Sequence, residues 1–360
     1  YGLSFFLIFF NSCLAHTLYQ MVSAKRVGPL FLRWFKVDFY VAILGLMALI
    51  FLYLASLPKA LNIQKAFTFA TMQPNFSPLL NWDVLENHQR MEALEAQLEQ
   101  TQLLDFNLLL LPESVSPNPI LGDATTRDFF EHWARVMGRP ILTGNLAHIR
   151  PADIWYNGVF LIHPERGLQS NFYAKRELVP FGEFTPEPFA TLFEPFGAIQ
   201  GSFQAGKDSQ VIPIQILGQE WVFGSLVCYE DMFPLRVRES VQAGADVLYV
   251  ATNDAWYGTE GAAYFHAAHS VLRAVENRRP IIRCGNAGWS GWIDAYGSIR
   301  GELSDEANSI YFKGSGNFVF SPQPEWRWQQ SFYTRYGDWF VALSALFALA
   351  GVRLAQSIRT

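Results

Sequence analysis

Charge is scarce in this chain. Only 16% of its 360 residues are Asp, Glu, Lys or Arg, against about a quarter in ordinary soluble domains. Part of the polypeptide is therefore expected to rest against something other than water. The net charge of −5 leaves no basic excess, which argues against nucleic acid as a partner. Cysteine is rarer still. Cys13, Cys228 and Cys284 are too few for a disulfide scaffold, although a bridge between Cys228 and Cys284 stays open as an alternative. There is no glycine-rich phosphate loop after a strand, so no nucleotide site is expected. His266 and His269 stand three apart with no further ligand at a supporting spacing. No metal is expected there; the two read as helix-face residues, one near the thiol of Cys228, and no cofactor of any kind is implied. The chain opens on Tyr1, already apolar, so it is expected to begin inside a longer protein, and no signal peptide can be read from it.

What is abundant is apolar and aromatic: 50% hydrophobic residues, with 31 Phe, 14 Tyr and 11 Trp partly concentrated toward the ends. Three stretches approach the roughly 20 apolar residues that a bilayer requires. Tyr1 to Val22 is interrupted by Asn11, His16 and Gln20; Phe39 to Leu57 has no charge; Tyr336 to Ala355 is weaker, fronted by Tyr333, Tyr336 and Trp339. Buried helices of a soluble core are the alternative. Lys25, Arg26, Arg33 and Lys36 between the first two stretches, with Arg353 and Arg359 in and after the third, put those ends in the cytoplasm. The expected organisation is two transmembrane helices over 1–58, a catalytic domain outside the cytoplasm over 59–334, and a C-terminal transmembrane helix over 335–360.

The middle region alternates short apolar runs with helical spacing. Strands are predicted at Phe67–Met72, Phe106–Leu111, Ile141–Thr143, Val247–Ala251 and Ile281–Cys284. Asn157–His163 with Gln169–Ala174, and Val211–Leu217 with Trp221–Val227, read as hairpins. Helices are predicted at Val84–Leu104, Thr126–Met137, Pro234–Ala243 and Ala262–Asn277. Strands alternating with helices, plus interposed hairpins, indicate a layered α/β domain.

Three strand ends carry chemistry. Glu113 follows the all-leucine run and Pro112, where desolvation would lift a carboxyl toward the range of a general base. Lys175 follows Tyr173-Ala174, and its ammonium could stabilise an oxyanion. Cys228 ends an apolar strand and is followed by Tyr229 and Glu230. A thiol is an effective nucleophile once its proton is removed, so base, cation and thiol make a plausible acyl-transfer site. Taken alone, a strand-end cysteine is usually just a small hydrophobe.

The surroundings of this trio resemble the nitrilase superfamily, and in detail its apolipoprotein N-acyltransferase branch. The similar runs are Gln73-Pro74-Asn75, Trp155-Tyr156-Asn157, Lys175 through Leu178-Val179-Pro180-Phe181-Gly182-Glu183, and Asn253-Asp254-Ala255-Trp256-Tyr257-Gly258. Leu272-Arg273-Ala274-Val275-Glu276, Arg279-Pro280, Arg283 and Asn286-Ala287-Gly288 complete them. The resemblance spans roughly residues 60 to 320. It implies an αββα sandwich inserted between transmembrane helices of the inner membrane, with the catalytic domain on the periplasmic side. It further implies a ping-pong reaction in which Glu113 takes the proton of Cys228, the thiol accepts an acyl chain from a phospholipid, and Lys175 stabilises the oxyanion. The amine of a diacylglyceryl-cysteine at a lipoprotein N-terminus then takes the chain, and the enzyme is expected to act as a monomer. Glu183, Tyr229, Glu230, Asn145 and Trp256 are expected to support the site, Glu183 and Glu230 by bridging to Lys175, and Asp254 and Trp256 by shaping the pocket wall. Members of the branch are expected to have more membrane helices than three, so an N-terminal portion is missing or the chain is a shortened relative. Cys284 stands where a non-thiol residue is expected. The alternatives are a membrane-tethered nitrilase or amidase using the same trio on a small C–N substrate, and a catalytically silent lipid- or lipoprotein-binding module.

Phe184 to Phe203 carries Phe184, Phe189, Leu192, Phe193, Phe196, Ile199 and Phe203 among prolines and glycines. It reads as a mobile arm that dips into lipid headgroups, or else as a loop packed on the domain. If it is an arm, Phe193→Ser and Phe196→Ser are expected to slow turnover on lipid vesicles while leaving a short soluble ester unaffected. Equal losses on both substrates would count against it.

Overall fold

The computed structural model describes residues 2–23, 37–56, 65–77, 84–186 and 203–359. Chain contacts divide into two units, one formed by 1–61 with 336–360 and the other by 62–335. The proposed aromatic arm falls almost wholly on 187–202, outside the described residues. Its described flanks meet at one point, where the Phe203 N–H donates to the Glu183 carbonyl at 2.9 Å.

In the first unit α1 (Gly2–Ser23) and α2 (Val37–Ser56) are continuous helices, and the chain ends in a helix over Trp339–Arg359. These coincide with the three apolar stretches, extended by one to four residues at several ends. Large side chains on α2 point outward: Leu44, Phe51 and Leu52 are all exposed. Among the described residues, no helix is long and apolar enough to cross a membrane.

In the second unit, alternation of side chains builds a four-layer sandwich. One sheet has the order β13-β1-β2-β3-β4-β5, with β6 also paired to β4, and the other has the order β12-β11-β10-β9-β8-β7. The first comprises β1 (Phe67–Gln73), β2 (Leu108–Leu111), β3 (Ile141–Ile149), β4 (Ile154–His163), β5 (Gly167–Leu168), β6 (Tyr173–Ala174) and β13 (Gly314–Phe320). The second comprises β7 (Val211–Ile216), β8 (Gln219–Val227), β9 (Val247–Thr252), β10 (Ile281–Gly285), β11 (Gly291–Ile293) and β12 (Ile299–Glu302). Because side chains on a strand alternate between faces, Leu108 and Leu110 enter the core between the sheets, where they join Phe69, Phe223 and Tyr249. Leu109 and Leu111 turn the other way, into a second core with Leu94 of α3 (Val84–Thr101) and Phe130 of α4 (Ala124–Met137). On the far sheet, Leu248 and Val250 do the same toward Val237 of α5 (Pro234–Gln242) and Ala267 of α6 (Ala262–Asn277). Burying each Phe or Leu contributes about 1.5–3 kcal/mol, so both faces of both sheets are committed. This is the αββα arrangement.

The structure departs from expectation in several places. Strand β3 runs through Gly144 and Asn145 to Ile149, because its whole length pairs with β4; it does not stop at Thr143. Of the expected hairpin strand Gln169–Ala174 only Tyr173–Ala174 is strand, as β6, while β5 lies before it at Gly167–Leu168; each pairs separately with β4. Strand β13, unforeseen in the sequence, pairs antiparallel along all of β1. No disulfide forms: Cys13, Cys228 and Cys284 are all free thiols. Cys284 lies in the core between the sheets and donates to the Leu110 carbonyl at 3.3 Å, which gives the unexpected thiol a structural role.

Gly144 marks the tightest approach below Glu113. A Cβ there would come within 2.7 Å of the Glu113 Cα and of the Pro112 carbonyl, and within 2.9 Å of Ala251 Cβ. Two of those neighbours are backbone and have nowhere to go. Gly144→Ala is expected to destabilise the second unit by about 1–3 kcal/mol, the usual cost of overpacking, read as a lower denaturation midpoint. An unchanged midpoint would show that the two sheets can slide apart there.

Candidate active site

Cys228, Lys175 and Glu113 come from three strands, and all three side chains are buried. Glu113 sits one residue beyond Pro112, past the end of β2. The Tyr249 hydroxyl on β9 reaches across the core to donate to the Leu111 carbonyl, so the far sheet holds the strand end that carries the carboxylate. Lys175 directly follows β6, and its N–H donates to the Asn157 carbonyl at 2.8 Å. Cys228 follows β8 and opens a single 3-10 turn, Cys228–Met232. Its φ of 56° lies in the left-handed region, which a side chain adopts only when the surroundings impose it.

Lys175 is the hub. Its Nζ lies 2.8 Å from Glu183 Oε1 and 3.6 Å from Glu113 Oε1, and 5.4 Å from the centre of the Tyr229 ring. The Asn157 amide spans both carboxylates, donating to Glu113 Oε1 at 2.8 Å and to Glu183 Oε1 at 3.0 Å. Burial would weaken the ammonium, but Glu113, Cys228 and Glu183 outweigh it and hold Lys175 above its ordinary value. Burial lifts Glu113 above the ordinary carboxyl range, against the pull of Lys175 and with reinforcement from Glu183. Burial, then the Glu113 charge, likewise push the Cys228 thiol up, with Lys175 opposing. Burial thus favours a neutral thiol at Cys228, near a carboxylate with raised proton affinity. Such a pair can pass a proton at the moment of attack without storing a free thiolate.

The expected supporting residues divide. Glu183 bonds Lys175 directly, as anticipated, and its other oxygen accepts from the Val179 N–H at 2.9 Å. Glu230 does not bridge to the ammonium. Fully buried, it accepts from the N–H groups of Val227, Arg176 and Glu177 at 2.8, 2.7 and 3.1 Å and from the Tyr173 hydroxyl. It thus ties the backbone after Lys175 to the turn that carries Cys228, because its carboxylate finds orphan N–H donors from both segments. Tyr229 donates its hydroxyl to the Leu178 carbonyl at 2.8 Å. Asn145 is buried but bonds Ser116 Oγ at 2.8 Å, so it steadies the loop after Glu113; the amide at the acid is Asn157. The signal for Asn157 was present in the sequence: a polar residue, followed by Gly158, inside an otherwise apolar strand. Trp256 is mostly exposed on the turn Asp254–Tyr257. Its neighbour Tyr257 feels the site instead, its hydroxyl raised by burial and then by the charge of Cys228. Asp254 is fully buried and bonded to His266 at 2.8 Å. Among the described residues, no group of acidic, His or Cys side chains could hold a metal ion.

Known proteins resemble the chain in sequence and solved structures resemble it in fold. The chain is 28% identical over 99% of its length to the apolipoprotein N-acyltransferase of Thermotoga maritima. It is 29% identical over 94% to that of Geobacter metallireducens, and 30% identical over 84% to that of Chlorobaculum tepidum. It spans 62%, 62% and 60% of the length of those relatives. An amidase from Nesterenkonia sp. superposes with a TM-score of 0.53 at 19% identity, covering 73% of this chain and 94% of its own. A Saccharomyces cerevisiae member of branch 10 of the nitrilase superfamily superposes at 0.50 and 19% identity, covering 76% and 96%. Residues 68–313, which hold all four charged or thiol groups of the hub, match the carbon-nitrogen hydrolase family; the chain belongs to that family.

Proposed function

We propose that this chain is an apolipoprotein N-acyltransferase, moving a fatty acyl chain from a phospholipid through a thioester on Cys228 to the α-amino group of a lipoprotein's N-terminal diacylglyceryl-cysteine. The observation that carries the reading is the buried Lys175 ammonium held between Glu113 and Glu183 beside the thiol. The relatives named for this activity, matched along most of the chain, support the substrate class.

Each step balances within the hub. As the Cys228 sulfur bonds to the ester carbonyl carbon, its proton passes to Glu113 and the carbonyl oxygen takes up negative charge facing Lys175. Collapse breaks the ester C–O bond, and the leaving alkoxide of the lysophospholipid recovers the proton from Glu113. The acceptor amine then attacks the thioester and gives a proton to Glu113. Expulsion of the sulfur, which regains that proton, leaves the amide and the free thiol. The low polarity around the hub strengthens the Lys175–oxyanion attraction relative to water. Tyr229, Glu230 and Asn145 act by fixing the segments that carry the three reacting groups, and Trp256 stands at the outer edge of the turn beside Tyr257.

We place the first unit in the apolar layer of a bacterial inner membrane and the second on its periplasmic side. The outward apolar surface of α2 supports the first, since lipid covers such a surface at lower free energy than water. The cationic residues at 25–36 support the second. Phospholipid and diacylated lipoprotein are the partners this reading requires, and a monomer suffices because the hub is complete within one chain.

Intact mass of the purified chain incubated with phospholipid tests this directly. An added acyl mass on Cys228, discharged by a diacylglyceryl-cysteine peptide, is the expected result. An unmodified thiol together with hydrolysis of a small amide would favour the amidase, and neither activity would favour a silent binding module. Glu113→Gln is expected to slow thioester formation by about 10²–10⁴-fold, and Lys175→Met by about 10²–10³-fold. Because burial raises Glu113, the rate is expected to climb with pH through a midpoint above the ordinary carboxyl value of 4.5. A midpoint at or below that value would remove Glu113 as the base.

A further inference from the structure

Behind the nucleophile lies a buried charge cluster that the reaction scheme does not use. His266 on α6 places Nε2 3.0 Å from Asp231 Oδ1 and Nδ1 2.8 Å from Asp254 Oδ1. Both carboxylates are fully buried. Carboxylates only accept, so an imidazole bonded to two of them must donate from both nitrogens and carry a proton on each. Asp231 lies in the same single turn as Cys228, three residues on. Asp254 opens the turn that ends in Tyr257, the residue whose hydroxyl feels the Cys228 charge. One ring therefore joins the turn after β8 that carries the thiol to the turn after β9.

We propose that His266, in its doubly protonated form, is a positioning residue for the nucleophile, clamping the Cys228 turn to the Asp254–Tyr257 turn. The proposal rests on Cys228 being the nucleophile, and it makes acyl transfer sensitive to alkaline pH through a group that never touches substrate. The two links are unequal. Asp231 is also held by Ser270 and Arg283, whereas Asp254 has Thr252 at 3.0 Å on the same oxygen. Its second oxygen has Arg283 no nearer than 3.9 Å. Loss of the ring proton would release the Asp254 side first.

The charged groups around the ring are Asp231, Asp254 and Arg283 from the packed elements, and His269 and Arg273 from α6 itself. Burial and Arg283 oppose the imidazolium, but Asp231 and Asp254 prevail and raise His266 to about 9 from 6.5. For a raised histidine the contribution is complete below its ordinary value and lost as pH rises through the folded one. The clamp is therefore closed at neutral pH and opens near pH 9.

Two readouts on the full chain in detergent test it. One is thioester formation from phospholipid; the other is alkylation of Cys228 by iodoacetamide, followed at that peptide by mass, which needs no acyl donor. His266→Gln is expected to slow both by roughly 10- to 100-fold, the scale of a misplaced reacting group. The KM for phospholipid should stay unchanged, and the bend near pH 9 in the wild-type alkylation profile should vanish. Asp254→Asn, of the same shape, should keep the bend but move it to lower pH. If His266→Gln matches wild type in rate and profile, or if Asp254→Asn leaves the bend in place, the clamp is refuted. Should His266→Gln fail to fold, the Asp254→Asn profile alone decides. Wild type that shows the bend but forms no thioester would overturn the proposed acyl transfer and leave the clamp standing.

Discussion

A single buried cation organises this site. Lys175 is almost wholly removed from water, and an ammonium in that position without partners would cost several kcal/mol. Glu183 at 2.8 Å and Glu113 at 3.6 Å offset that cost, and Asn157 eases the repulsion between the two carboxylates by donating to both. With the cation satisfied, Glu113 can remain charged in a buried position and still have its proton affinity raised. In the proposed reaction a carboxylate of that kind serves as general base to a thiol that burial favours in its protonated form.

The fold serves this site by bringing strand ends from two sheets to one place. Within each sheet, hydrogen-bond register fixes the strands; between sheets, side chains must do it. Tyr249 and Cys284 reach from the second sheet to the carbonyls of Leu111 and Leu110 in the first, immediately before Glu113. Glu230 performs the same service on the other side, gathering N–H groups from the Lys175 segment and from Val227. Backbone donors are well suited to this role, because they do not titrate and lose little freedom on bonding. The strained left-handed φ at Cys228 is the remaining local cost of aiming the thiol.

Much of this was legible in the chain itself, and the limits have physical reasons. Short apolar runs at Phe67–Met72, at the leucines before Pro112 and at Val247–Ala251 announced strands, and the abrupt change from apolar residues to Glu113, Lys175 and Cys228 marked where strands end. Local pattern could not tell that β3 continues past Gly144, since a glycine ends a strand unless a partner lines up along it, and β4 does. Nor could it show β13 beside β1, a pairing across more than two hundred residues that only the topology brings together. Tyr249 reads as one more core aromatic until its hydroxyl finds a carbonyl on the opposite sheet. Asn145 and Asn157 look alike in sequence, each next to a glycine; which amide meets the acid is decided by the fold, where Asn157 bonds Glu113 and Asn145 bonds Ser116. His266 and His269 invited a metal, but carboxylates contributed from separate strand ends claim the first of them.

In the proposed reaction the resting nucleophile is a protonated thiol, held so by burial and by the negative charge of Glu113. Direct titration of Cys228, by the pH dependence of thiolate absorbance in a Cys13→Ser and Cys284→Ala background, tests it most simply. The midpoint is expected above the ordinary thiol value of 9.0, moving down in Glu113→Gln, where the repelling charge is gone. A thiolate already formed at neutral pH, or a midpoint that ignores Glu113, would contradict it.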